Sequence, residues 1–301
     1  MPFLSIFTAP KPFQNPHTAI IQRNAIQSWM HLGEDVEVLL VGDEPGIKEV
    51  AGEFGIRHLP QVTRNEQGTP LVSSIFSLAR QASQGPVLIY ANADILILPE
   101  IVVAAQQAVT QAERFLMIGQ RWDLEVIQPL DFSEGWDERL EEMLKGQGQL
   151  HPPSGSDYFL FPRSCFTEIP DFAIGRAGWD NWMIYHARQA GIPLIDATPS
   201  VRVIHQNHDY SHLPGGVAHY DLEESAVNRK LAGGKSHMYI VLDSDYQLVG
   251  GKVRTPSWSL ERAIRKMEVG LYPRAGEASG LRRFMIRRLR RLRRGIDPTR
   301  N

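Results

Sequence analysis

The sequence predicts an α/β fold, a mostly parallel sheet with helices on both faces. Three observations predict it. Continuous apolar runs of strand length recur at 36–41 (VEVLLV) and 87–91 (VLIYA), the pattern of strands buried on both sides. Segments with apolar residues at helical spacing lie between such runs, so strand and helix alternate over the first 120 residues. The chain has 301 residues, 43% apolar and 22% charged, which suits one large domain or two intimate lobes.

The elements follow in order. FLSIF at 3–7 is a strand that runs into Thr8-Ala9-Pro10. Ile21, Ala25, Ser28, Trp29 and Leu32 share a face of a helix over 17–32, stopped by Gly33. VEVLLV ends in the turn-rich Gly42-Asp43-Glu44-Pro45-Gly46, followed by a short helix near 47–54 and a brief strand at 56–59. A polar loop at 60–70 contains Asn65, Gly68 and Pro70. Val72, Ile75, Phe76, Ala79 and Ala82 make a helix over 71–83. VLIYA opens into Asn92-Ala93-Asp94 and ILIL, and Pro99 starts a helix over 99–113. FLMIG at 115–119 is a strand, 134–145 an acidic helix, and 146–156 a Gly- and Pro-rich loop. YFLFP at 158–162 reads as a strand, Asp180 to Ala190 as a helix, and 194–197 and 201–205 as strands. MYIVLD and YQLVGGKV form a hairpin over 238–253 with Ser244-Asp245 at its turn.

Composition excludes several classes. Cys165 is the one cysteine, so the chain forms no internal disulfide and no Cys-based zinc site, and a reducing, cytosol-facing compartment fits. No run of about 20 apolar residues exists, and the N-terminus lacks a basic segment ahead of an apolar core. GxGxxG after the first strand, GxxxxGK(S/T) and GxSxG are all missing, which disfavours dinucleotide, P-loop and α/β-hydrolase chemistry.

A few places carry chemistry. Asp94 follows a buried strand, where open α/β sheets bind ligands; it either holds a divalent cation or caps the next turn. Asp180 follows Gly178-Trp179, and its carboxylate either caps the helix or serves as a general base. Trp179 and Trp182 either stack on a sugar or fill the core. His205, His208 and His212 crowd one loop, as metal ligands or as a solvated polar segment. Asp43, after the second strong strand, either accepts from a nucleoside or is a plain turn residue.

Taken in order, these residues over 3–250 resemble a GT-A fold glycosyltransferase of the family 2-like nucleotide-diphospho-sugar transferases. The resemblance implies a Rossmann-type sheet, with a nucleotide-sugar-binding lobe at 1–120, an acceptor-binding and catalytic lobe at 121–255, and a C-terminal extension at 256–301. It implies that Thr8, Ala9, Asp43, Asn65, Asn92 and Asp94 hold the donor, and that Asp157, Trp179 and Trp182 meet the acceptor. Asp180 would be the base of an inverting displacement, and Asp94 with His205 or His208 would bind Mn²⁺ or Mg²⁺. Asn92 stands where the family's metal motif usually carries its first Asp, which weakens metal affinity. The implied activity is sugar transfer, hexosyl or related, from a nucleotide-diphosphate sugar to a glycan, lipid-linked or small-molecule hydroxyl. A nucleotidyltransferase and a catalytically silent sugar-nucleotide or glycan-binding protein are the alternatives.

The net charge of −2 hides an asymmetry: 281–301 carries nine Arg and one acid, a charge of +8, against −10 for the rest. Over 281–294, Leu281, Phe284, Met285, Leu289 and Leu292 fall on one helical face with Arg on the others. Such a basic amphipathic helix either meets an anionic membrane surface, packs as a solvated helix on the acidic body, or binds nucleic acid weakly; the apolar stripe favours the membrane, hence a cytoplasmic protein peripheral on an inner membrane face, with no specific nucleic acid partner.

Overall fold

The computed structural model describes residues 1–208, 222–273, 278–297 and 299. The expected α/β sheet is present. Nine strands run in the order β13-β12-β10-β6-β9-β4-β1-β2-β3. Its centre is β1 (Leu4–Thr8), β2 (Val36–Val41) and β4 (Val87–Ala91), with β3 (Arg57–Leu59) at one edge. All pairings among these four are parallel. β9 (Tyr158–Pro162) runs antiparallel between β4 and β6 (Leu116–Ile118), and beyond β6 lie β10 (Leu194–Asp196), β12 (Tyr246–Val249) and β13 (Lys252–Arg254).

Strand periodicity sorts the core into two layers. Leu4, Ile6, Val87, Ile89 and Ala91 point to one face, where α1 (Pro16–Met30), α2 (Ile47–Phe54) and α4 (Glu100–Val109) cover them. Phe7, Leu39, Leu88 and Tyr90 point to the other, under α3 (Val72–Ala82) and α6 (Trp179–Gln189). Both faces are apolar because both are covered, which is why VLIYA reads as one continuous hydrophobic run.

A second sheet of four strands, β5-β11-β7-β8, stands beside the first. It comprises β5 (Ile95–Ile97), β7 (Arg121–Leu124), β8 (Gln149–Leu150) and β11 (Val203–Gln206). Leu96, Leu98, Leu124 and Ile204 pack there against Trp136, Leu140 and Leu144 of α5 (Trp136–Gln147). β7 and β8 lie in a stretch without an assigned strand in the sequence reading.

The expected hairpin is displaced. MYIVLD is not a strand: Val241–Asp243 forms a 3-10 turn, because the Asp243 carboxylate accepts the Ile240 N–H (2.8 Å) and the Ser244 hydroxyl donates to the Val241 carbonyl (2.7 Å). The hairpin is β12-β13, turning at Gly250 (φ +55°) and Gly251 (φ +75°), where consecutive positive φ values favour glycine. Two further helices, α7 (Glu223–Leu231) and α8 (Leu260–Gly270), lack counterparts in the sequence reading.

The basic tail forms α9 (Gly280–Ile296), packed on α8. Glu268 of α8 is fully buried and sits between Arg265 (3.2 Å), Arg290 (2.8 Å) and Arg293 (3.4 Å). Burial alone would raise the Glu268 carboxyl; the three guanidinium groups bring it below its ordinary value. Ile286 is buried, whereas Leu281, Phe284, Met285 and Leu292 face solvent. No described helix is long and apolar enough to cross a membrane.

Candidate functional site

A cavity of about 910 Å³ opens beyond the carboxyl ends of β1 and β4. Strand register assembles its floor. Ala91 pairs with Tyr158, so the residues flanking that pair, Asn92 and Asp157, meet as β4 ends and β9 begins. The Asn92 N–H donates to the Asp157 carbonyl (2.9 Å) and its side-chain amide to Asp157 Oδ1 (2.8 Å). Tyr90 donates its hydroxyl to Asn92 Oδ1 (3.1 Å), and Arg121 donates to Asp157 Oδ2 (2.9 Å). Asn92 is thus fixed by two partners.

The small sheet brings the imidazoles to Asp94. His205 pairs across the sheet with Ile95, next to Asp94, and with Asp123 on β7. His208 Nε2 lies 3.0 Å from Asp94 Oδ2 and His205 Nε2 3.9 Å from it. One ligand atom from each of Asp94, His205 and His208 falls within 4.8 Å of the others, a spacing that fits a divalent cation. Among the described residues Asp94 Oδ1 is buried with no hydrogen-bond partner, an acceptor available to a ligand in the cavity. Burial pushes the Asp94 carboxyl up, but the His208 hydrogen bond, His205 and Lys11 together hold it well below the ordinary carboxylate range. Burial lowers the Lys11 ammonium, against the pull of Asp94.

Behind this cluster Asp123 faces His205 Nδ1 (3.5 Å) and binds His151 Nδ1 (2.7 Å) and Arg121 Nε (2.9 Å). At that distance Asp123 makes no hydrogen bond to His205 Nδ1, which is buried without a partner among the described residues, so Asp123 acts on that imidazole through its charge and holds His151 directly. Asp123, Arg121, His151 and Lys11 belong to the site but were not singled out in the sequence reading. The signal was available for two of them: Arg121 and Asp123 alternate with apolar Trp122 and Leu124, a strand pattern.

Asp180 enters from α6. Gly178 caps that helix at φ +114°, and its N–H points to Asp180 Oδ1 at 3.3 Å. A Cβ on Gly155 would come within 3.1 Å of Asp180 Oδ2, so the Ser154-Gly155 loop lies directly against the carboxylate. Asn181 ties the same loop down by donating to the Ser154 carbonyl (3.1 Å). Burial raises the Asp180 carboxyl to about 6; backbone N–H groups of Asn181 and Gly178 offset part of that, and Asp157 adds to it. An acid tuned near neutrality is suited to taking a proton.

The cavity wall includes Ala9, Asn92, Asp94, Asp157, Trp179, Asp180, His205 and His208. Four sequence candidates stand outside it. Thr8 is fully buried at the end of β1. Asp43 is exposed and paired with Arg64, which also holds the wall residue Glu44 (2.9 Å). Asn65 donates to Glu224 (2.7 Å), which also binds Arg176 (2.6 Å), and thereby joins the 65–70 loop to the Gly175-Arg176 wall. Trp182 packs against Phe172 and stacks on His186. Trp179 touches both environments, packing on Tyr90 and Phe159 while lining the cavity. Asp209, Tyr210, Ser211 and His212, part of the imidazole-rich loop, lie outside the described residues. Arg294, from the distant tail helix, also lines the cavity.

No family model and no curated protein matches the chain. Among solved structures, the chain is similar to glucosyl-3-phosphoglycerate synthase from Mycobacterium tuberculosis in complex with Mn²⁺, UDP and glucosyl-3-phosphoglycerate. The identity is 15%, over 86% of this chain and 88% of that one, with a TM-score of 0.47. The same enzyme in complex with Mg²⁺ and UDP gives 15% identity, 85% and 87% coverage, and a TM-score of 0.46. S. aureus TarS gives 10% identity, 69% and 59% coverage, and a TM-score of 0.41.

Proposed function

We propose that the protein is a GT-A-type glycosyltransferase that moves a sugar from a nucleotide-diphosphate donor to an acceptor hydroxyl, assisted by a divalent cation. One observation carries the reading: a carboxylate with two imidazoles at metal-binding spacing shares a cavity with a second carboxylate raised to about 6.

Asp94, His205 and His208 would hold the cation, and a cation there supplies positive charge to the diphosphate as it leaves. Two of the three donors are imidazoles, which favours Mn²⁺ over Mg²⁺. Asp180 takes the proton from the acceptor hydroxyl while that oxygen bonds to the anomeric carbon. The bond from that carbon to the diphosphate breaks on the opposite side, and its electron pair leaves with the phosphate. A single displacement of this kind inverts the anomeric centre. Arg121 and Lys11 add positive charge beside the cation site, and Asn92 and Asp157 are held by hydrogen bonds that orient the floor. Ala9, with Thr8 behind it, and the Asp43–Glu44 and Asn65 loops fall on the donor side. Asp157, Trp179 and, from behind, Trp182 fall on the acceptor side.

In this reading 1–120 supplies the donor half and 121–255 the acceptor half, while α9 in 256–301 meets a membrane from the cytoplasmic side. Nucleoside-diphosphate release from UDP- and GDP-sugars, with and without Mn²⁺, tests the activity. Slow, Mn²⁺-dependent donor hydrolysis is expected in the absence of acceptor. No release from any donor at saturating metal would overturn the proposal.

A further inference from the structure

Lys11 is presented to the cavity by a stiff piece of chain. It stands between Pro10 and Pro12, whose rings fix their own φ angles, and Pro12 biases Lys11 towards extended backbone. Gln22 of α1, itself buried, grips the Lys11 backbone from both sides. The Lys11 N–H donates to Gln22 Oε1 (2.7 Å), and Gln22 Nε2 donates to the Lys11 carbonyl (2.9 Å). Pro10, Lys11, Pro12 and Gln22 all line the cavity. The side chain is half-buried, and among the described residues its ammonium makes no hydrogen bond and no ion pair. The acid that acts on its charge is Asp94. Two other cations of the wall are bound to acids: Arg121 to Asp123 and Asp157 (2.9 Å each), and Arg176 to Glu224 (2.6 Å).

The charge around Asp94 sets what can enter. Both ends of the Asn92 amide are in use, towards Tyr90 and Asp157, so Asp94 is the one carboxylate of the Asp94-His205-His208 cluster. Imidazole binds a metal in its neutral form, so these three ligands offer a cation a single negative charge. Lys11 opposes that charge, and a bare divalent cation therefore gains little by entering. A nucleoside diphosphate carries more negative charge than a divalent cation neutralises, so the complex of the two is drawn to an ammonium in this position.

We propose that Lys11 is a diphosphate-binding residue that sets the order of entry: its ammonium opposes a bare cation at Asp94 and pairs with a phosphate of the donor, so the cation arrives as a complex with the nucleotide. The identity of the ligand rests on the transferase reading; the opposition between Lys11 and a cation at Asp94 does not.

Mn²⁺ binding, followed by electron paramagnetic resonance of the free ion, and nucleotide binding, followed by isothermal titration, test this on the full chain, Lys11→Met and Lys11→Arg. Methionine keeps most of the apolar shaft, and the ammonium it replaces makes no hydrogen bond within the described protein, so K11M should keep the wild-type Tm. Without nucleotide, K11M should bind Mn²⁺ roughly fivefold more tightly than wild type. At a fixed Mn²⁺ concentration it should bind the nucleoside diphosphate roughly tenfold more weakly, the loss of one charge-assisted hydrogen bond. K11R keeps the charge and should lie near wild type in both measurements. A merely structural role for Lys11 would weaken both ligands together; that result, or a K11M that binds both as wild type does, would overturn the proposal. Wild-type protein that binds Mn²⁺ as tightly alone as with nucleotide would also overturn it. If UDP, GDP, ADP, CDP and dTDP all fail to bind wild type with Mn²⁺, the transferase reading fails, and tighter Mn²⁺ binding by K11M then upholds the opposition at Asp94 alone. If wild type and K11M bind a nucleotide alike, the transferase reading stands and Lys11 loses its role.

Discussion

Replacing Asp180 with asparagine should stabilise the protein while removing its turnover. Burial raises the Asp180 carboxyl from an ordinary 3.8 to about 6. At about 1.4 kcal/mol for each tenfold change in proton affinity, the ionised form costs the folded state about 3 kcal/mol. The sign follows from linkage. A carboxyl raised in the fold favours the folded state below the unfolded value of 3.8, and that advantage is lost as pH rises to about 6. The substituted amide does not titrate, and its side-chain oxygen still accepts from the Gly178 N–H. Urea unfolding of both proteins at about pH 3 and about pH 8 reads the difference. The variant should gain about 3 kcal/mol on wild type between the two conditions, while turnover falls by about 10²–10⁴. In the wild type, turnover should decline as pH drops through about 6, because the base becomes protonated. Stability curves that stay parallel across this range would refute the strained-acid account of Asp180, and retained turnover would remove it as the base.

Other perturbations follow from the same geometry. Asp123→Ala removes the negative charge 3.5 Å from His205 Nδ1 and the partner of His151, and Mn²⁺ affinity should fall by no more than about 10-fold with the fold intact, as read by isothermal titration. Mn²⁺ should support donor hydrolysis at lower concentration than Mg²⁺, since two of three ligands are imidazoles; the reverse order would count against His205 and His208 as ligands. Glu268→Ala leaves Arg265, Arg290 and Arg293 without their shared buried partner, which should cost about 3–5 kcal/mol in denaturant unfolding.

Much of the sheet was legible because its strands are covered on both faces. VEVLLV and VLIYA carry little polar interruption, so their bounds coincide with β2 and β4. The edges were less legible. Tyr246–Val249 is half exposed and its partner Lys252–Arg254 is polar, so the apolar MYIVLD drew the strand assignment, although Asp243 and Ser244 bend it into a turn. β7 is a related case: the alternation of Arg121 and Asp123 with Trp122 and Leu124 marks a strand but spans only four residues, and its parallel neighbour around His205 lies far along the chain. The residues that line the cavity beside Asp94 illustrate the limit. Asp94 and Asp180 announce themselves by standing at a strand end and a helix start. Arg294 lines the same cavity from the far end of the chain, and nothing local in its sequence marks that.

Asp43 and Asn65 show the opposite case. Both occupy turn-rich segments that suggest contact with a ligand, yet each is bound within the protein, to Arg64 and Glu224. Their side chains shape the loops that carry Glu44 and Thr69 to the cavity wall.

The central claim is that Asp94, with His205 and His208, holds a nucleoside diphosphate in the cavity across a divalent cation. Titrating UDP and GDP into the full chain with Mn²⁺, with EDTA, and into Asp94→Asn tests it most directly. One of the two nucleotides should bind in the presence of Mn²⁺ and lose that binding both in EDTA and in the variant. Affinity that survives EDTA, or is unchanged in Asp94→Asn, would contradict the account.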